Sequence, residues 1–298
     1  MGEPELSQMR GVLLKSWADV RSWCDMQFER QSALYRGHSQ CFQRLLPAID
    51  RFERRTAVSK FSVFASEFTD LRRFARLAAP HLERWEADWI KNPILTMALL
   101  QHYGGPTRLL DWTRSPWVAI YFACRSNPEL SGEILYFRPH ALGNRVAPGL
   151  REFHGSIVRL SESDDWEPQA FRETLEVAAG NPPLVCSVSA DLMSPFPRAA
   201  AQQSAFTVSN QVGFDHWEGL QRQIHEYTSK TPHDESGRVV IDARAKPEIM
   251  DRLRSLQHTA EQLFPGLEGL AMHVADLALR DDGPFRRDPH DSGLDASG

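Results

Sequence analysis

Gln101-His102-Tyr103-Gly104-Gly105-Pro106-Thr107-Arg108-Leu109-Leu110-Asp111-Trp112-Thr113 carries the chain from a helix into a strand through a glycine pair. Upstream, Asn92-Pro93 starts a helix, with the proline well placed in its first turn, and the helix runs through Met97 and Leu100 to about Tyr103. Gly104-Gly105-Pro106 must end it, because two glycines and a proline cannot continue a helix cheaply. Thr107 to Trp112 then follows as a strand or extended loop. On a strand, Leu109 and Asp111 share one face while Arg108 and Leu110 share the other. Ser115-Pro116 has the cap-then-proline pattern of a new helix, on which Trp117, Ile120, Tyr121 and Cys124 fall along one face.

Outward from this core the pattern mixes helices and strands. Leu13, Leu14, Trp17, Val20 and Trp23 predict a helix over 5–29, and Ser32 to Gly37 reads as a short strand ending at a turn glycine. Phe61, Phe64, Phe68, Leu71 and Ala75 mark a helical stripe that Pro80 breaks. Strands are expected at 132–137, 183–188 and 237–242, with a strand-like run at Ala205–Val208. Residues 161–181 are acidic and read as a surface helix or loop. Pro247 opens a helix with Ile249, Leu253, Leu256, Ala260 and Leu263 in phase, and a shorter apolar helix spans Leu267 to Leu279. The tail from Asp281 to Gly298 has almost nothing to bury and is expected to be disordered. The expectation is one α+β domain over 1–280, with a helical N-terminal half packed on a small mixed or antiparallel sheet.

The bulk numbers agree with a globular protein: 298 residues, 42% apolar and 24% charged. A net charge of −5 gives no general reason to expect nucleic-acid binding. Residues 1–125 hold 18 Lys and Arg against 13 Asp and Glu, an excess that suits a phosphate-bearing ligand or a solvated helix surface. Cys24, Cys41, Cys124 and Cys186 are scattered without a Cys-x-x-Cys pair, which argues against a structural zinc site and a disulfide framework. The N-terminus lacks a signal-peptide pattern and no apolar run approaches 18 residues, so the expected setting is the cytoplasm, away from membrane.

Several side chains suit chemistry. Arg36, just before Gly37, can present a planar fork of donors to a phosphate or carboxylate, or form an ion pair with an acid such as Asp111. His102 at a helix end can bond a terminal carbonyl, contact a ligand or transfer a proton. Asp111 needs a partner if buried. Thr113 and Ser115 offer hydroxyls near a helix start, where free N–H groups suit a phosphate or a side-chain cap. Trp112, Trp117, Tyr121 and Phe122 read mainly as core, with Trp112 set between polar positions. Gln202 and Gln203 can hold a ribose hydroxyl or lie exposed in a loop.

The block Gln101–Thr113, followed by Ser115-Pro116 and Ala119-Ile120-Tyr121-Phe122-Ala123, resembles the central block of the FRG-domain family. Tyr35-Arg36-Gly37 matches the aromatic-Arg-Gly motif of that family, and the likeness is strongest over 30–125. Arg198, Gln202-Gln203 and Phe206-Thr207 are similar to a later family block, with Ser204 where a glycine commonly stands. A remoter resemblance is to ADP-ribosyltransferases, in the order Tyr35-Arg36-Gly37, then Leu110–Thr113 with its following helix, then Gln202-Gln203. That resemblance implies NAD as cofactor, no metal, and loss of nicotinamide to a protein, nucleic-acid or water acceptor. It implies that Arg36 binds phosphates or ribose, that Thr113 shapes the nicotinamide pocket, and that Gln202 or Gln203 holds the ribose with His102 and Asp111 nearby. Tyr35, Gly37, Gln101, Tyr103, Arg108 and Trp112 complete the expected cofactor surroundings. Many enzymes of that class carry glutamate where this chain has glutamine. The rival expectations are a non-catalytic module binding a nucleotide or partner protein, in a bacterial defence or toxin setting, and a nucleic-acid hydrolase using His102 and Asp111.

Overall fold

The computed structural model of the chain describes residues 11–30, 33–51, 60–84, 86–142, 149–162, 166, 168–175, 183–188, 197–227 and 235–278. The fold is α+β. Its strands are β1 (Val12–Leu14), β2 (Leu34–His38), β3 (Leu110–Thr113), β4 (Gly132–Phe137), β5 (Val185–Val188), β6 (Ser204–Ser209) and β7 (Ser236–Ile241). The helices up to the middle of the chain are α1 (Trp17–Glu29), α2 (Lys60–Ala78), α3 (Pro93–His102), α4 (Pro116–Cys124) and α5 (Leu150–Glu162). After them come α6 (Pro168–Leu175), α7 (Pro197–Ala201), α8 (His216–Tyr227), α9 (Lys246–Ser255), α10 (Ala260–Leu263) and α11 (Leu267–Ala278). Among the described residues no helix is long and apolar enough to cross a membrane.

The seven strands form one sheet in the order β1-β7-β4-β2-β3-β6-β5. β1 and β7 are parallel and the other neighbours antiparallel. Both faces of the sheet are covered, as the continuous burial of β4 requires. Leu34, Leu110, Trp112, Leu135 and Phe137 belong to one core, with Met97 and Leu99 of α3 and Phe153 of α5. Tyr35, Ile134, Tyr136, Val239 and Ile241 belong to the other, with α1, α4 and α9. The alternation within β4, Leu135 and Phe137 against Ile134 and Tyr136, is the period-two rule at work.

The strand register leaves one weak line in the sheet. β2 pairs with β4 at five positions and β3 with β6 at four, whereas β2 and β3 meet only at Tyr35 opposite Thr113. The sheet is therefore two well-zipped halves joined at a narrow seam. Helix α4 lies directly on the β2–β4 half. A β-carbon at Gly37 would stand 1.8 Å from the Ala119 carbonyl oxygen, so only a glycine admits this approach. Nearly every side chain of α4 is buried, not one face of it, as befits a helix with core on most sides.

The local start and stop signals act as read. Asn92 Oδ1 accepts from Leu95 N (2.9 Å) and Ser115 Oγ from Val118 N (3.4 Å). Gly104 ends α3 in the left-handed region (φ +82°).

Two helices expected from periodicity are shorter than the pattern implied. Residues 12–14 form an edge strand on β7, and α1 starts only where Ser16 Oγ accepts from Asp19 N (3.2 Å). The helix opened by Pro247 stops at Ser255, Gln257 turns left-handed (φ +64°), and Thr259 caps a separate α10. In the acidic 161–181 region, Phe171 and Leu175 of α6 are buried, so this is a packed helix. The expected disorder of 281–298 and the first residues of the expected 5–29 helix lie outside the described residues.

Candidate functional site

Where β2 and β3 diverge beyond the Tyr35–Thr113 pair, a cleft of about 260 Å³ opens. Tyr35, Arg36 and Gly37 line it from β2, and Asp111, Trp112 and Thr113 from β3. Gln101 and His102 enter from the end of α3, Val118 and Phe122 from α4, and Arg198, Gln202, Ser204 and Phe206 from the α7–β6 corner. Nine of the twelve residues read as site candidates thus share one lining.

Arg36 spans the seam. Its Nη1 donates to the Asp111 carbonyl oxygen (2.5 Å) and lies 3.8 Å from Asp111 Oδ2, while its Nε donates to His38 Nε2 (2.9 Å). The side chain is 18% exposed, against 60% for Asp111. The ion pair with Asp111 read from the sequence is present, and the same guanidinium lines the cleft. Gln101 Nε2 donates to Asp111 Oδ1 (2.7 Å), and Gln101 Oε1 accepts from Thr107 Oγ1. The Asp111 carboxylate is thereby held in place while still facing solvent. Burial, and then the nearby Arg198 cation, pull the His102 pKa below the ordinary imidazole value, so the ring is neutral at neutral pH.

Trp112 forms part of the lining through a buried polar chain. Its Nε1–H donates to Thr207 Oγ1 (2.9 Å), and the Thr207 hydroxyl lies 2.9 Å from His216 Nδ1. The Thr207 hydroxyl has one proton to give and two lone pairs, so it takes the indole N–H and pairs with the ring nitrogen of His216 at the same time. Burial, reinforced by Arg36 and Arg108, pushes the His216 pKa down to about 3. The folded pKa lies below the unfolded value of about 6.5, so the folded state binds fewer protons and this stability is present above pH 6.5. It is lost as pH falls from about 6.5 toward 3, by roughly 4 kcal/mol at pH 3. His216→Asn keeps an acceptor for Thr207 and removes the titration. Chemical denaturation across pH 3–7 should show a flatter acid limb for the variant, and equal slopes would contradict the assignment.

Thr113 Oγ1 donates to the Gln202 carbonyl oxygen (2.7 Å) and accepts from Ser115 N (3.0 Å), which ties β3, α4 and the α7–β6 corner together. Gln202 Nε2 donates to the Leu263 carbonyl oxygen (3.0 Å).

Three candidates stand outside the cleft lining. Arg108 is sealed in the interior, where its Nε donates to Glu67 Oε1 (2.8 Å) and its Nη1 to the carbonyls of Leu175 (2.9 Å) and Ser209 (3.0 Å). Tyr103 points to solvent and donates its hydroxyl to Glu86 Oε1 (2.6 Å). Gln203 shapes a backbone turn, with φ +47° and its carbonyl accepting from Arg114 N (2.9 Å).

Sequence reasoning did not place Arg198 or Phe122 in the cleft lining, nor His38 and Glu133 behind Arg36. For His38 the signal was available, since it alternates with Arg36 on the same face of β2. Glu133 stands opposite His38 in the β2–β4 register, a pairing that becomes visible only in the fold.

The family model described as the FRG domain matches residues 31–131, which takes in β2, the Gln101–Thr113 block and α4. No curated protein and no solved structure matches the chain.

Proposed function

This chain carries an FRG domain over residues 31–131, and on that footing we propose that the seam cleft binds NAD and cleaves its nicotinamide–ribose bond. The observation that carries the reading is the convergence of Arg36 and His102, 66 positions apart in the chain, on one cleft with the exposed carboxylate of Asp111 between the strands. At about 260 Å³ the cleft is smaller than the roughly 300–1,000 Å³ typical of sites that bury a whole ligand. It suits the nicotinamide riboside end, with the phosphates at the mouth near Arg36 and Arg198.

In this reading Arg36 offers a cation and a guanidinium edge to phosphate or ribose oxygens. As the glycosidic C–N bond breaks, nicotinamide leaves with the bonding electron pair and the ribose becomes an oxocarbenium ion. Asp111 is the sole carboxylate of the cleft lining among the described residues and stabilises that positive charge. A water, protein or nucleic-acid hydroxyl then adds to the ribose carbon, and neutral His102 or Asp111 takes its proton. One observation favours a second reading, a nucleotide-binding module without catalysis. The glutamine position that resembles the catalytic glutamate carries Gln202, whose amide nitrogen is committed to Leu263.

The test is incubation of the intact protein with NAD, with free nicotinamide followed by mass spectrometry. Release is expected, lowered about 10²–10³-fold by Asp111→Asn. Arg36→Ala should weaken NAD binding about 10–100-fold, the worth of a charge-assisted hydrogen bond. Release that survives Arg36→Ala combined with His102→Ala would refute the site. Saturable NAD binding without release would select the module.

A further inference from the structure

We propose that His38, backed by the buried Glu133, is a positioning pair that fixes the plane of the Arg36 guanidinium. The pair is built by the sheet itself. Arg36 and His38 alternate on β2, and His38 faces Glu133 across the β2–β4 ladder. Arg36 Nε–H donates to His38 Nε2 (2.9 Å), and His38 Nδ1 lies 3.1 Å from Glu133 Oε1. The His38 side chain is 9% exposed and that of Glu133 fully buried.

The proton positions follow from the donors. An arginine Nε has only a hydrogen to give, so His38 Nε2 must be unprotonated, and the ring proton sits on Nδ1 and donates to the carboxylate. Burial, with Arg36 and Arg238 as the neighbouring cations, lowers the His38 pKa against the opposing pull of Glu133, which agrees with a neutral ring. Glu133 is fixed in turn by the Phe42 amide (3.0 Å) and by Arg238 Nε 3.4 Å away. Arg36 is thus held at two nitrogens, Nε by His38 and Nη1 by the Asp111 carbonyl, which stops rotation of the group and leaves its Nη2 edge for an incoming anion. A salt bridge between Glu133 and Arg238 alone would satisfy the acid without aligning anything at the cleft. The geometry stands apart from the NAD reading, while its consequence for ligand binding rests on that reading.

The experiment reads Arg36 directly in the free, full-length protein by ¹⁵N NMR of its Nε–H, assigned through Arg36→Lys. A slowly exchanging Nε–H is expected, together with a His38 ring whose Nε2 is an unprotonated acceptor. The Nε–H signal should be lost in His38→Leu and retained in His38→Gln, whose amide oxygen replaces the acceptor. With NAD as probe, His38→Leu should bind about tenfold more weakly than wild type, and His38→Gln within about threefold. An ordinary fast-exchanging Arg36 signal in wild type, a signal unchanged in His38→Leu, or a ring protonated on Nε2 overturns the proposal. Should Arg36→Ala bind NAD as tightly as wild type, the reading of the cleft falls, while the guanidinium signal still decides the positioning role. If His38→Leu does not fold, the wild-type tautomer and His38→Gln decide it.

Discussion

Replacing Arg108 with methionine is expected to cost about 3–5 kcal/mol of folding stability, because it strands a carboxylate in the core. The side chain is 2% exposed and its guanidinium bonds to three separate elements. It holds Glu67 of α2 through Nε contacts of 2.8 and 3.0 Å, the last carbonyl of α6 at Leu175, and the last carbonyl of β6 at Ser209, from its own position just before β3. Methionine fills much of the volume, so the cost is electrostatic: a buried carboxylate loses its counter-ion and two carbonyls lose their donor. Combining Arg108→Met with Glu67→Leu should recover most of the loss, because the stranded charge is then gone. Urea denaturation of wild type, the single variant and the double variant measures this, and a single variant that unfolds at the wild-type midpoint would contradict the account.

Gly37→Ala is expected to cost about 3 kcal/mol or more and to damage the cleft at the same time. The added methyl would meet the Ala119 carbonyl oxygen at 1.8 Å and its carbonyl carbon at 2.7 Å. These are backbone atoms that no rotamer change can move, so α4 must lift off β2. The same helix supplies Val118 and Phe122 to the cleft and begins at Ser115, whose amide is bonded to Thr113. A methyl introduced at Gly104 meets nothing within 4 Å and strains only the left-handed backbone, so Gly104→Ala should cost markedly less and leave NAD binding intact. A Gly37→Ala protein within about 1 kcal/mol of wild type by denaturant unfolding would show that the helix-to-sheet contact yields more easily than these distances imply.

Much of the fold was legible in the chain because the signals are local. The cap at Asn92, the glycine stop at Gly104 and the cap at Ser115 each depend on a few neighbouring residues, and each acts as its residue type demands. What was not legible depends on partners far along the chain. Val12–Leu14 reads as helix by period, yet its strand is made by β7, more than two hundred residues away, so tertiary pairing overrides local pattern. Arg36 and Arg108 look alike as arginines beside strands. Only the packing of α2, which delivers Glu67, sends one into the core, and only the loose β2–β3 seam leaves the other at a cleft. Gln202 and Gln203 divide for a similar reason. The turn into β6 takes Gln203 into the left-handed region and leaves Gln202 in the cleft lining.

The central claim is that the opening between β2 and β3 is the place where a nucleotide binds. Titrating NAD into the ¹⁵N-labelled protein tests it most directly. The account predicts saturable shifts centred on Arg36, His102, Asp111 and the Trp112 indole N–H. Shifts confined to another surface, such as the arginines of α2, or no shifts at millimolar NAD, would contradict it.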